Sequence, residues 1–350
     1  MLIGIASGRK RYEEITLLHI IGAVMILLCH FFQKAKIAAL GELFITGVPL
    51  FLFVSGFLAG LKEKADRKWL VRRAKRVLTP FYLWVIPCML ILWLYHKSNV
   101  TPIQFLFLIT NMQGLNYIFW PSNLYGSVSG LGHLWFITEI MFCFILTALF
   151  FRKITLSKKG CTIVLLMLIV VVQPLLIFIG FQTSYIITFF MGYLTAKLGC
   201  EINTKLFVKI TVGCLVINAI RIVCMRFIDG SDYYDRYVTL VSAAAVGIWV
   251  FFFVFWVGKV RPNIIRNIAE NKIVAYLSEI SYEIFIVHFW FLNGTWQISK
   301  YIQNMLLSDL VVVILTVVFA GLLHFASSKI EHAFNKINFS KLSRTKQGAV

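Results

Sequence analysis

Apolar runs close to twenty residues long recur from one end of this chain to the other, and no other feature restricts its fold as much. A helix of that length crosses the ~30 Å of hydrocarbon in a bilayer. The runs fall at approximately 15–32, 44–61, 77–95, 134–151, 161–179, 184–199, 206–227, 237–258, 274–292 and 309–327. The chain is 59% apolar and 14% charged, whereas ordinary soluble domains run at roughly 45–50% and about 25%. The predicted class is all-α: a polytopic integral membrane protein of about ten transmembrane helices.

The formal net charge of +19 invites nucleic acid as a partner, but its distribution points elsewhere. With the amino terminus in the cytoplasm, most of the 34 Lys and Arg fall in or beside cytoplasmic segments. These include "RKR" at 9–11, "KEKADRKWLVRRAKR" at 62–76, "RKITLSKK" at 152–159, the turn at 197–209 and "KVRPNIIRNIAENK" at 259–272. That obeys the positive-inside rule, puts both termini in the cytoplasm, and makes the basicity a matter of topology. The start, "MLIGIASGRKRYEE", has its basic cluster after a short apolar stretch, the reverse of a cleavable signal. Seven scattered cysteines with no Cys-x-x-Cys predict packed free thiols and no metal framework. With no internal repeat or soluble second domain apparent, one membrane domain is expected over 1–330 and a short cytoplasmic tail over 331–350.

Ionisable side chains at membrane depth cost free energy and face a cavity, a partner or a pathway. Here they are His19 and His30 in the first span, His133 and Glu139 in the fourth, Arg221 in the seventh, and Glu283 and His288 in the ninth. The predicted orientation puts His30, His133 and His288 near outer ends, with Glu139 about 9 Å below His133. His19 and His30 are eleven residues apart, about 1100° of helical rotation, or roughly 20° past three whole turns. They share one stripe, about 16 Å apart along the axis. Such a stripe either lines a tunnel or hydrogen-bonds neighbouring helices.

Several elements, in order, resemble the acyltransferase-3 family of integral membrane O-acyltransferases. They are the first span, "GVPLFLFVSGFLAG" at 47–60, "VRRAKRVLTPFYLW" at 71–84, "GHLWFITE" at 132–139 and "ISYEIFIVHFW" at 280–290. The family's first helix carries an arginine, ten residues, then a histidine; His30 matches that histidine. His19 stands where the arginine is usual, Thr16 where an aspartate is common, and Glu139 one residue before the family's glutamate.

The resemblance implies transfer of an acyl group, most often acetyl, from cytoplasmic acetyl-CoA to a hydroxyl of a bacterial surface or lipid-linked glycan, in the cytoplasmic membrane. It implies His30 as general base, or as the carrier of a transient acyl group. Glu139 or His133 would orient His30 or the acceptor. Arg72, Arg73, Lys75 and Arg76 are candidates for the CoA phosphates, though basic residues there also orient helices and bind anionic lipid. Gly47, Ser55 and Gly56 serve either close helix packing or room for the pantetheine arm, with His19 beside it. The loop at 96–132 carries Tyr117, Trp120 and Tyr125, which with His288 are candidate acceptor contacts; an interfacial aromatic belt is the other reading. Outside the enzyme class stands a polysaccharide exporter whose membrane His and Glu groups form a pathway, or a catalytically silent envelope partner. Transporters of this size often show a repeat with paired broken helices, and none is apparent.

Overall fold

The computed structural model describes residues 13–62, 66–95, 101–115, 130–149, 157–172, 174–175, 185–199, 201–227 and 232–347. Among these residues the secondary structure is helical, with no strand. In chain order the helices are α1 (Glu13–Lys34), α2 (Ala38–Phe44), α3 (Gly47–Gly60), α4 (Arg67–Tyr95) and α5 (Pro102–Ile109). Next come α6 (Trp135–Leu149), α7 (Lys158–Met167), α8 (Ile186–Leu198), α9 (Thr204–Phe227) and α10 (Asp232–Val260). Then follow α11 (Pro262–Glu270), α12 (Lys272–Glu279), α13 (Ser281–Asn293) and α14 (Met305–Gln347).

Among the described residues seven helical stretches are long and apolar enough to cross a membrane. An eighth, α12 with α13, is bent by 72° at Ile280, and α8 is apolar but short. The stretch expected at 161–179 starts as α7 and widens into a π turn over Leu168–Val172. The chain is thus an all-α polytopic membrane protein, and the described residues of the ten apolar runs are mostly helical. α14 continues past Lys329 without a break.

Polar contacts between helix ends sort those ends into two sets. Lys197 Nζ donates to the Lys62 carbonyl at 3.3 Å, and Lys259 Nζ to Glu201 Oε1 at 3.1 Å, which holds the Glu201 carboxyl below its ordinary range. Arg266 lies 3.7 Å from Glu13. The start of α1 therefore shares one end of the bundle with the Lys- and Arg-rich turns, the basic end. At the opposite end Lys34 pairs with Asp309 at 2.9 Å, and Glu42 pairs with Arg221. Arg221, the charge noted in the seventh run, has its partner on the short helix α2.

Bilayer lipid gives helices no hydrophobic reason to associate, so close contact and van der Waals packing must hold them together. α3 and α8 meet backbone to backbone: a Cβ added at Gly56 would lie 1.8 Å from the Phe189 carbonyl oxygen, and one at Gly192 would lie 2.1 Å from that of Phe53. Gly47 presses on α1 in the same way, 2.6 Å from the Gly22 carbonyl. Packing is therefore what Gly47 and Gly56 do. Below that contact Phe53 and Phe57 meet Phe251 of α10 edge-on at 4.8 and 4.9 Å between ring centroids. Such pairs contribute about 0.5–1.5 kcal/mol each beyond their area. α9 buries no residue and presents its apolar surface outward, as a lipid-facing helix does.

Candidate functional site

Two helices and a turn converge near the end of the bundle opposite the basic one. α1 brings His30, half-buried; the 3-10 turn Gly132–Leu134 brings His133; and α13 brings His288. The His30 and His288 rings stack at 5.3 Å, and those of His133 and His288 meet edge-on at 4.8 Å. His133 is 6% exposed and His288 0%. The turn that delivers His133 depends on Gly130, whose φ of +80 lies in the left-handed region. A side chain there would also strike Gly294 at 2.8 Å and Trp290 at 2.9 Å.

Carbonyl partners set the tautomers. His288 Nδ1 lies 2.7 Å from the Phe285 carbonyl and 3.2 Å from that of Ile284, and His133 Nε2 lies 3.1 Å from the Ile286 carbonyl. A carbonyl only accepts, so those nitrogens carry the hydrogens and donate. His288 Nε2 and His133 Nδ1 are left as lone pairs, both buried and with no hydrogen-bond partner among the described residues. His30 Nδ1 pairs with Gln33 Oε1 at 2.9 Å; an amide oxygen only accepts, so Nδ1 carries the hydrogen and Nε2 the lone pair. Buried polar atoms are nearly always satisfied, so these two acceptors, open among the described residues, can receive a hydrogen-bond donor beside a half-buried imidazole. A hydroxyl is such a donor. Phe289 lies against all three rings at 4.8, 5.0 and 6.0 Å.

From the basic end a cavity of about 460 Å³ reaches toward this cluster. Its mouth includes the exposed Arg76, Glu279 and Ser328, with half-buried Arg73 just inside. His19 and Ser55 line its course, and its far wall holds Phe136 and Phe285, buried at 4% and 3%. Those two rings are 5.0 Å apart, and Phe285 in turn lies 5.2 Å from His133. The span from Phe144 to Phe136 along α6 is about 12 Å. The stripe of α1 thus puts His19 in the cavity and His30 beyond its far wall.

Other candidates sit apart from this pair of features. Arg72 is exposed and Lys75 half-buried on the first turns of α4. Glu139, 1% exposed, accepts the backbone N–H of Tyr185 at 3.2 Å at the start of α8. Tyr117, Trp120 and Tyr125 lie outside the described residues.

Three side chains of the cavity wall, His324, Ser278 and Ser281, escaped the sequence reading of the site. His324 of α14 points Nδ1 at Glu283 Oε1, 3.0 Å away. Its signal was the same as that of His19, an imidazole inside an apolar run. The bend at Ile280 turns Ser278, Ser281 and Glu283 toward the cavity, and no local pattern announces it. Among the described residues no group of three or more His, Cys, Asp or Glu is arranged to hold a metal.

A family model described as "Acyltransferase domain" (Acyl_transf_3) matches residues 12–325. The chain belongs to the acyltransferase-3 family. No curated protein and no solved structure matches it. The matched range takes in the whole cavity except Ser327, Ser328 and Glu331, and all three imidazoles. This acyltransferase-3 protein is a multi-pass membrane acyltransferase, and its cavity and imidazole cluster are the places to seek donor and acceptor.

Proposed function

We propose that the protein is an O-acyltransferase of the bacterial cytoplasmic membrane. It takes an acyl group, acetyl first among them, from cytoplasmic acyl-CoA and passes it to a hydroxyl of a surface or lipid-linked glycan. The observation that carries this reading is the alignment of a cavity from the basic end with three imidazoles just past its far wall. A nucleotide is too charged to enter hydrocarbon, whereas a slender pantetheine arm suits a passage of this size. Arg73 and Arg76 supply the charge that phosphates require. The acyltransferase unit is residues 1–330, with 331–350 on the cytoplasmic side continuing α14, whose Glu331 still lines the cavity.

In this mechanism the acceptor hydroxyl hydrogen-bonds to His30 Nε2. As the oxygen attacks the thioester carbon, His30 takes the hydroxyl proton. The carbon–sulfur bond then breaks, the ester stays on the glycan, and the thiolate leaves down the cavity with the proton returned to it. His133 and His288 offer their lone pairs to neighbouring hydroxyls and hold the acceptor in register. Their carbonyl partners forbid the other tautomer without breaking a buried hydrogen bond. That cost is about 1–3 kcal/mol.

The test is donor binding. The purified chain in lipid nanodiscs is expected to bind acetyl-CoA, and Arg76→Ala to weaken it about tenfold, with Arg73→Ala at least as damaging. S-acetylpantetheine, which lacks the nucleotide, is expected to bind both variants as it binds the parent. A chain that binds neither compound is not an acyl-CoA enzyme.

A further inference from the structure

The chemical character of the cavity changes along its length, and this bears on which acyl group it accepts; the argument rests on the acyl-CoA reading above. Its cations stand at the mouth, where Arg76 is exposed and Arg73 lies over the rings of Trp69 and Phe144 at 5.9 Å. Its far end is Phe136, Ile140 and Phe285, all buried at 6% or less. Past that wall the unpaired nitrogens are His133 Nδ1 and His288 Nε2, which are acceptors. A carboxylate carried to this end would shed its water, find no Lys or Arg among the described lining residues there, and face lone pairs. Burying an unpaired charge is strongly unfavourable. A long alkyl chain meets a different obstacle, the rings of Phe136 and Phe285 in mutual contact at 5.0 Å.

We infer that Phe136 and Phe285 are the acyl-selecting residues of this enzyme: they restrict the donor to short, uncharged acyl groups and exclude monoacyl dicarboxylates such as succinyl. Phe285 is the stricter of the two because it touches Phe136, His133 and His288 at 5.0, 5.2 and 6.0 Å, so its ring narrows the way from the cavity to the imidazoles. Removing its ring opens length without adding any partner for a charge. Length and charge discrimination should therefore come apart in one variant.

The experiment compares the affinities of acetyl-CoA, hexanoyl-CoA and succinyl-CoA for the full chain in nanodiscs, in the parent, Phe285→Ala and Phe285→Leu. The parent is expected to bind hexanoyl-CoA and succinyl-CoA at least about tenfold more weakly than acetyl-CoA, the discrimination that a few misfit atoms provide. In Phe285→Ala the hexanoyl gap is expected to close to within about threefold while the succinyl gap stays. Phe285→Leu, a milder loss of volume, should fall between. Equal binding of acetyl-CoA and succinyl-CoA by the parent overturns the inference and leaves the acyl-CoA reading standing. So does a hexanoyl gap unmoved in both variants. If the parent binds none of the three, the acyl-CoA reading fails and takes the inference with it.

Discussion

Replacing His30 by alanine is expected to lower acyl transfer about a thousandfold while the protein stays folded in the membrane and still binds acyl-CoA. A positioned general base contributes typically 10²–10⁴-fold, and no second group takes over its proton. The two neighbouring imidazoles are poorly suited to replace it. Each has one nitrogen committed to a backbone carbonyl and is buried at 6% or less, whereas His30 is half-buried and bonded to a flexible side chain, Gln33. Donor binding should survive because His30 is not part of the cavity wall that His19 and Ser55 line. Transfer assayed in membranes, with acetyl-CoA affinity measured in parallel, separates the two effects. Loss of both together would move His30 from chemistry to architecture. His288→Ala should cost transfer as well, but through position: the acceptor's apparent KM should rise along with the fall in kcat.

The second large effect is structural. Gly56→Ala is expected to abolish recovery of monodisperse protein. The new methyl would sit 1.8 Å from the Phe189 carbonyl oxygen, and the obstacle is backbone on a packed helix that no rotamer change relieves. Overpacking costs typically 1–3 kcal/mol when side chains can shift. Here α3 and α8 must separate, which also undoes the reciprocal fit at Gly192. Ser55→Ala, one residue away, is expected to fold, because Ser55 faces the cavity. Size-exclusion profiles of the two variants check the contrast, and a normal profile for Gly56→Ala would mean that the two helices have slack the packing denies.

That neighbouring pair shows what the sequence could and could not convey. "VSGF" announced small residues in a span, and both packing and donor access were open for each of them. A helix turns about 100° per residue, so adjacent positions face different neighbours, and which neighbour is a matter of tertiary contact. The stripe of His19 and His30 was legible because it needs only helical geometry. The meeting of His30 with His133 and His288 was not, since it joins segments more than a hundred residues apart. Glu139 illustrates the same limit: an acidic residue in an apolar run is easily noticed, but its partner is the backbone of Tyr185, forty-six positions on. The bend at Ile280 and the phenylalanine wall lay below notice for another reason. Phenylalanine is ordinary in such a chain, and a break between two helices leaves little trace where no glycine or proline marks it.

The central claim is that donor and acceptor meet across the bundle, one coming from the basic end and the other from the opposite end. Membrane vesicles of known orientation, prepared from cells that make the protein, test it with radiolabelled acetyl-CoA. Label is expected to enter membrane-associated acceptor when acetyl-CoA bathes the basic face, to be absent when it bathes only the opposite face, and to vanish with His30→Ala. Equal incorporation from acetyl-CoA supplied at the opposite face would contradict the account.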